Sequence, residues 1–96
     1  MKQTTNEAGW WRCLALCAEQ NTPEEMDTLF NLLLTIEERK DIADRYLIIR
    51  DLLKAEKTQR EMAADLQVSI AKITRGSNSL KTIGENLRNF LIEKIK

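Results

Sequence analysis

Apolar residues return at helical spacing in six stretches of this chain, and no stretch of useful length alternates as a strand would. The first runs from about Asn6 to Gln20 and carries Trp10, Leu14, Cys17 and Ala18, with Trp11 at its flank. Asn21-Thr22-Pro23 ends that helix and starts the next: Thr22 caps, proline suits the first helical position, and Glu25 completes a capping box. Met26, Leu29, Phe30 and Leu33 form the second stripe. Thr35 and Glu38 make a further box that opens a long helix to about Lys54, with Ile42, Tyr46, Ile49 and Leu53 on one face and Leu47, Ile48 and Leu52 widening it. Thr58 and Glu61 box a shorter helix that starts at Gln59 and turns Ala63 and Leu66 inward. The pattern breaks at Gln67-Val68-Ser69, where Ser69 caps a fifth helix with Ile70, Ile73 and Leu80 as buried positions. Gly84 interrupts again, and a last helix from about Glu85 to Ile95 presents Leu87, Phe90, Leu91 and Ile95. With no repeat, low-complexity segment or linker, the expected fold is all-α, six helices in one domain.

The fourth and fifth helices carry the functional argument. Ala63 is small enough to let them approach, Val68 and Ile73 fill the angle between them, and Lys72, Thr74, Arg75 and Ser77 are left outside. Such a pair is a helix-turn-helix, whose second helix enters the DNA major groove. The competing reading is an αα-hairpin that only packs, or a helical module whose basic surface meets a protein. Against these stands the charge pattern: between Asp65 and Glu85 the chain has Lys72, Arg75 and Lys81 and no acid, which suits a surface meeting phosphates.

Charge is uneven along the whole chain although its formal sum is zero. Residues 1–44 hold four bases against nine acids, whereas residues 45–81 hold eight bases against four acids. A basic region on a neutral protein implies an anionic partner. The chain has 43% hydrophobic and 31% charged residues, the balance of a soluble globular domain.

Size points to a second copy. A 96-residue chain buries only about two-thirds of its extended surface, so help from a partner chain is expected. The long helix of about 19 residues spans about 28 Å, against a radius of gyration of about 12 Å for a globule of this length, so one subunit covers it poorly. The two Trp side chains of the first helix read as core packing, against their own chain or the other subunit.

Other chemistries find few parts. Cys13 and Cys17 lie four apart, share a helical face, and would form a strained disulfide, so both read as small buried residues. With no His and no further Cys a zinc site lacks ligands, and no metal is expected. No phosphate-binding glycine loop or nucleophile elbow is present, and the acid pairs Glu24-Glu25 and Glu37-Glu38 sit in first helical turns, where they complement the helix dipole. The reading is not an enzyme. Met1 to Thr5 reads as a loose end, and the apolar run Cys13–Ala18 is too short for an export signal or a membrane span, so the expected location is cytoplasmic with no membrane contact.

The run Ile73-Thr74-Arg75-Gly76-Ser77-Asn78-Ser79-Leu80-Lys81 resembles the matching segment of the Trp repressor family. Leu32-Leu33-Leu34-Thr35, Glu38-Arg39, Arg45, Leu52-Leu53 and Gln59-Arg60-Glu61 also fall where the family has similar residues, so the likeness covers about residues 32–92. It implies an intertwined homodimer in which residues 1–57 and 83–96 form the dimer core and 58–82 the DNA-reading head. It implies L-tryptophan as corepressor, double-stranded operator DNA as partner, and repression of tryptophan biosynthesis or uptake genes. A regulator of the same fold answering another ligand, or none, stays open beside it.

The resemblance also assigns residues. The indole would lie between the guanidinium planes of Arg45 and Arg75, which suits flat cations on an aromatic face. Thr35 and Arg75 would meet the carboxylate, Ser79 and the carbonyls of Leu32 and Leu34 from the other subunit the ammonium, and Gly76 would leave room for the ring. On the DNA side the implied residues are Gln59, Arg60, Ser69, Ile70, Ala71, Lys72, Thr74, Ser77, Asn78 and Lys81. Three positions depart from the family pattern. Asp44 stands beside Arg45 where a hydroxyl is usual, Lys72 replaces a threonine, and Gln67 replaces the glycine of the bend, where a left-handed backbone would cost a non-glycine residue about 1 kcal/mol.

Overall fold

In the computed structural model, residues 4–95 are described, and they form six α-helices. These are α1 (Thr5–Ala18), α2 (Pro23–Leu33), α3 (Ile36–Lys54), α4 (Gln59–Leu66), α5 (Ile70–Thr82) and α6 (Glu85–Lys94). The all-α expectation holds among the described residues; of the loose start expected over Met1–Thr5, residues 1–3 lie outside them, whereas Thr4 caps α1 and Thr5 opens it.

Local capping accounts for most boundaries. Thr4 and Glu7 bond each other's backbone N–H groups at 3.1 Å, closing a box at the start of α1. Thr22 accepts from the Glu25 N–H and Pro23 opens α2, as expected. The box itself is shifted, because the Glu25 carboxylate reaches back to the N–H of Asn21 and not to that of Thr22. Thr58 and Glu61 form a complete box at α4, with bonds of 3.0 and 3.1 Å.

The chain divides into two compact units, one ending at Ile36 and one beginning at Glu37. In the first unit, α1 and α2 have no fully buried residue. Trp10 and Trp11 are 59% and 60% exposed, and Leu32 is 81% exposed. Packing of the two Trp side chains within their own chain is therefore not what the fold provides. Cys13 and Cys17 are free thiols and only half-buried, not buried as expected. Partial desolvation, with Cys13 as neighbour, pushes the Cys17 thiol above its usual range.

The second unit has a small core. Ile48 of α3, Met62 of α4 and Ile73 of α5 are fully buried, and Leu52, Ala63, Leu66 and Val68 pack against them. Three corrections follow. Met62, not named from the sequence, is the fully buried residue of α4, while Ala63 and Leu66 turn inward as expected and are partly buried against the same core. Ile70 is 44% exposed, because as the first residue of α5 it precedes the turn that Ile73 buries. Ser77, expected outside, is half-buried. On α3 the buried line passes through Ile48 and Asp51, leaving Ile42 and Tyr46 about half exposed.

Two features hold α4 and α5 in place. Asp51 is 5% exposed; Arg50 donates to its Oδ1 at 2.9 Å and Lys57 Nζ stands 3.6 Å from its Oδ2. Lys57 also bridges to Asp65 at 3.0 Å, so one ammonium joins the end of α3 to α4. The second feature is the bend. Gln67 has φ 55 and ψ 47, the left-handed conformation anticipated for this position, and Ala55 after α3 has φ 54. Ser69 then caps α5 by accepting from the Lys72 N–H at 3.2 Å. At the far end of α5 the Arg88 guanidinium donates to the Leu80 carbonyl, tying α6 to the same frame.

Candidate functional site: a cationic cleft beside an exposed helix

Helical spacing sets the walls of a cleft in the second unit. On α3, Asp41, Arg45 and Ile48-Ile49 recur one turn apart; on α5, Lys72, Arg75-Gly76 and Ser79 do the same. Together these residues line a space of about 460 Å³, within the range of small-molecule sites. Ile48 and Ile49 supply an apolar floor and Ser79 a hydroxyl. Among the described residues neither Arg45 nor Arg75 meets a carboxylate, so both guanidinium groups remain available.

Gly76 explains how closely the walls stand. A Cβ there would lie 2.8 Å from Cγ2 of Ile48 and 3.6 Å from Cδ1 of Leu52. Its φ is not positive, so the glycine serves close approach of α5 to α3 and not backbone conformation.

Of the residues implied for the ligand, Arg45, Arg75, Gly76 and Ser79 come together in this cleft. Leu32, Leu34 and Thr35 belong to the first unit, where Leu34 ends α2 by donating its N–H to the Phe30 carbonyl at 2.8 Å. Asp41, Ile48 and Ile49 were not assigned to the site from the sequence, although Asp41 stands one turn before Arg45 and that spacing marks it. Asp44 is turned elsewhere: its carboxylate is 14% exposed and lies 3.5 Å from Lys40 Nζ and 3.7 Å from Lys72 Nζ.

The residues implied for DNA occupy α4 and α5. Gln59 and Arg60 are exposed in the first turn of α4. Ser69 is the α5 cap, and Ile70, Ala71, Thr74, Asn78 and Lys81 are exposed along α5, with Ser77 half-buried. Ala71, Thr74, Asn78 and Thr82 border a shallow depression on that helix, together with Arg75 and Ser79. Lys72 differs from its neighbours. Its ammonium is drawn to α3, 3.6 Å from Asp41 Oδ1 and 3.7 Å from Asp44 Oδ2.

Residues 8–95 match the family model described as Trp repressor protein. The chain belongs to the Trp repressor family. A "Trp operon repressor homolog" of Chlamydia trachomatis serovar D is 48% identical over 89 residues, covering 93% of this chain and 95% of that protein. One from Chlamydia caviae is 48% identical over 91 residues, covering 95% and 90%. One from Vibrio vulnificus YJ016 is 38% identical over 81 residues, covering 84% and 79%. The Trp repressor likeness thus reaches back through α1, beyond the residues 32–92 in which individual motifs are visible. Among the described residues no helix is long and apolar enough to cross a membrane, and no group of three His, Cys, Asp or Glu side chains is placed to hold a metal.

Proposed function

We propose that this chain is an L-tryptophan-activated, DNA-binding repressor of transcription that works as an intertwined homodimer. The observation that carries the reading is the pair of guanidinium groups, Arg45 on α3 and Arg75 on α5, flanking one apolar-floored cleft. An indole stacks on such planes, and a carboxylate is held well by Arg75. Thr35 joins Arg75 at the carboxylate, and Ser79 serves the ammonium together with the Leu32 and Leu34 carbonyls of the other subunit. The bound amino acid acts as a wedge between α3 and α5 and sets the spacing of two helix-turn-helix heads, residues 58–82 of each chain. Two such heads read major grooves about 34 Å apart, so the operator is nearly palindromic. The genes controlled are those of tryptophan synthesis or uptake, and the protein works in the cytoplasm.

Dimerisation is supported by the apolar side chains that one copy leaves uncovered, among them Trp10, Trp11, Leu32, Leu87 and Phe90. Covering such area is the main driving force of obligate association. A stable, folded monomer at micromolar concentration in the ultracentrifuge would overturn this part.

Calorimetry with L-tryptophan, followed by operator binding at fixed salt, tests the whole. A 10-fold to 100-fold gain in operator affinity corresponds to about 1.4 to 2.8 kcal/mol of coupling between the two ligands. Full operator affinity without the amino acid, unchanged on adding it, would leave a constitutive DNA binder. A second reading, a regulator of the same fold that answers an aromatic amine, is favoured by Asp41, a carboxylate in the cleft wall. Tryptamine binding more tightly than L-tryptophan would select it.

A further inference from the structure

Lys72 stands on the helix proposed to read DNA, yet its ammonium is engaged with α3. Asp41 and Asp44 lie three residues apart on α3 and approach Lys72 Nζ at 3.6 and 3.7 Å. The Asp44 carboxylate is largely buried, at 14% exposure, so salt screens it less than a surface charge. The Lys72 side chain keeps 45% of its surface in solvent, and its four-carbon stem can carry the ammonium to another partner. Ala71 and Thr74, beside it on α5, are exposed.

We propose that Asp41 and Asp44 form an electrostatic latch that withholds Lys72 from DNA phosphates and so sets how weakly the ligand-free protein binds duplexes. The inference rests on the DNA-binding reading above. A phosphate must draw the lysine away from two carboxylates before it gains the contact, which turns a potential anchor into a restraint. The cost is modest for each head, about two- to fivefold in affinity for a partly exposed pair, and is counted twice in a dimer. The latch therefore lowers background binding to duplexes.

The experiment is a double-mutant cycle on duplex affinity of the ligand-free protein across salt concentrations, using wild type, Asp44→Asn, Lys72→Gln and the double variant. Asp44→Asn leaves Asp41 in place and removes about half of the restraint, so it is expected to raise affinity about 2- to 5-fold for a two-headed dimer and to steepen the salt slope. Lys72→Gln is expected to abolish that gain, and this background also accounts for the release of Lys40, which Asp44 holds at 3.5 Å. An equal gain in both backgrounds, or no gain in either, overturns the latch. Circular dichroism melts of the four proteins establish that each is folded at the assay temperature. A folded wild type that binds no duplex even at low salt overturns the DNA-binding reading, and the withholding role with it.

Discussion

Ile48 Cγ2 lies where a side chain at position 76 would begin: a Cβ on Gly76 would stand 2.8 Å away. Ile48 is fully buried and β-branched, so its methyl has little freedom to move aside. Overpacking of this kind costs about 1–3 kcal/mol, against a helix-propensity gain of about 1 kcal/mol for replacing glycine by alanine. Gly76→Ala is therefore expected to destabilise the fold by about 1 kcal/mol and to push α5 away from α3. Denaturant midpoints in a cycle with Ile48→Ala check it, since removing Cγ2 should erase the penalty.

If the cleft takes L-tryptophan, its two arginines do not contribute equally. Arg75→Ala removes both a stacking plane and the carboxylate partner and is expected to abolish detectable binding, while Arg45→Ala removes stacking alone. Ser79→Ala removes one hydrogen bond, about 1 kcal/mol or roughly fivefold in Kd. Calorimetric titrations of the three variants give the order. Equal losses for Arg45 and Arg75 would contradict the assignment of the carboxylate.

Gln67 occupies the left-handed region, φ 55 and ψ 47, at no evident benefit from its exposed side chain. Glycine there relieves about 1 kcal/mol of strain, partly offset by its freedom in the unfolded chain. Gln67→Gly is expected to raise the denaturant midpoint without changing its slope.

The cap of α4 carries a pH dependence. Hydrogen bonding from the Thr58 backbone N–H holds the Glu61 carboxyl below its ordinary range near 4.5. A folded-state pKa below the unfolded one means the contribution is complete above about pH 4.5 and is lost as pH falls through the folded value. Glu61→Gln should flatten stability against pH on this acid limb. Lys57 behaves in the opposite sense. Its hydrogen bond to Asp65, with Asp51 adding to it, raises its pKa above 10.5, so its contribution is complete below that pH and is lost above it. Lys57→Met should flatten the alkaline limb. Thr58→Ala, which removes the cap itself, is expected to cost about 1 kcal/mol at neutral pH, read from the thermal midpoint.

The sequence was most informative where a single residue acts on its own backbone. The Thr58 and Ser69 caps and the Pro23 start are local events, each readable from residue type and spacing, and the left-handed Gln67 was anticipated from the glycine that the family has at the bend. It was least informative where two helices decide together. Met62 and Ala63 are adjacent and both meet the core, and helical periodicity alone does not say which is buried completely; the crossing of α4 and α5 does. Ile70 looked buried for the same reason. Asp51 is charged and was passed over as core, since its burial depends on Arg50 and on Lys57 six residues away. In the cleft, Arg45, Arg75, Gly76 and Ser79 were legible through the family likeness and Asp41 was marked by its spacing from Arg45, whereas the engagement of Lys72 depends on side chains that meet only in three dimensions.

Trp10 and Trp11 are neighbours on α1, both about 60% exposed, and the cleft on the second unit is lined by no tryptophan. This gives the chain an optical division of labour. Its tryptophan emission comes from the first unit alone, so a blue shift of that emission on raising concentration reports the covering of α1 by another chain. No indole of the protein lines the cleft, so an indole bound there adds an emission of its own.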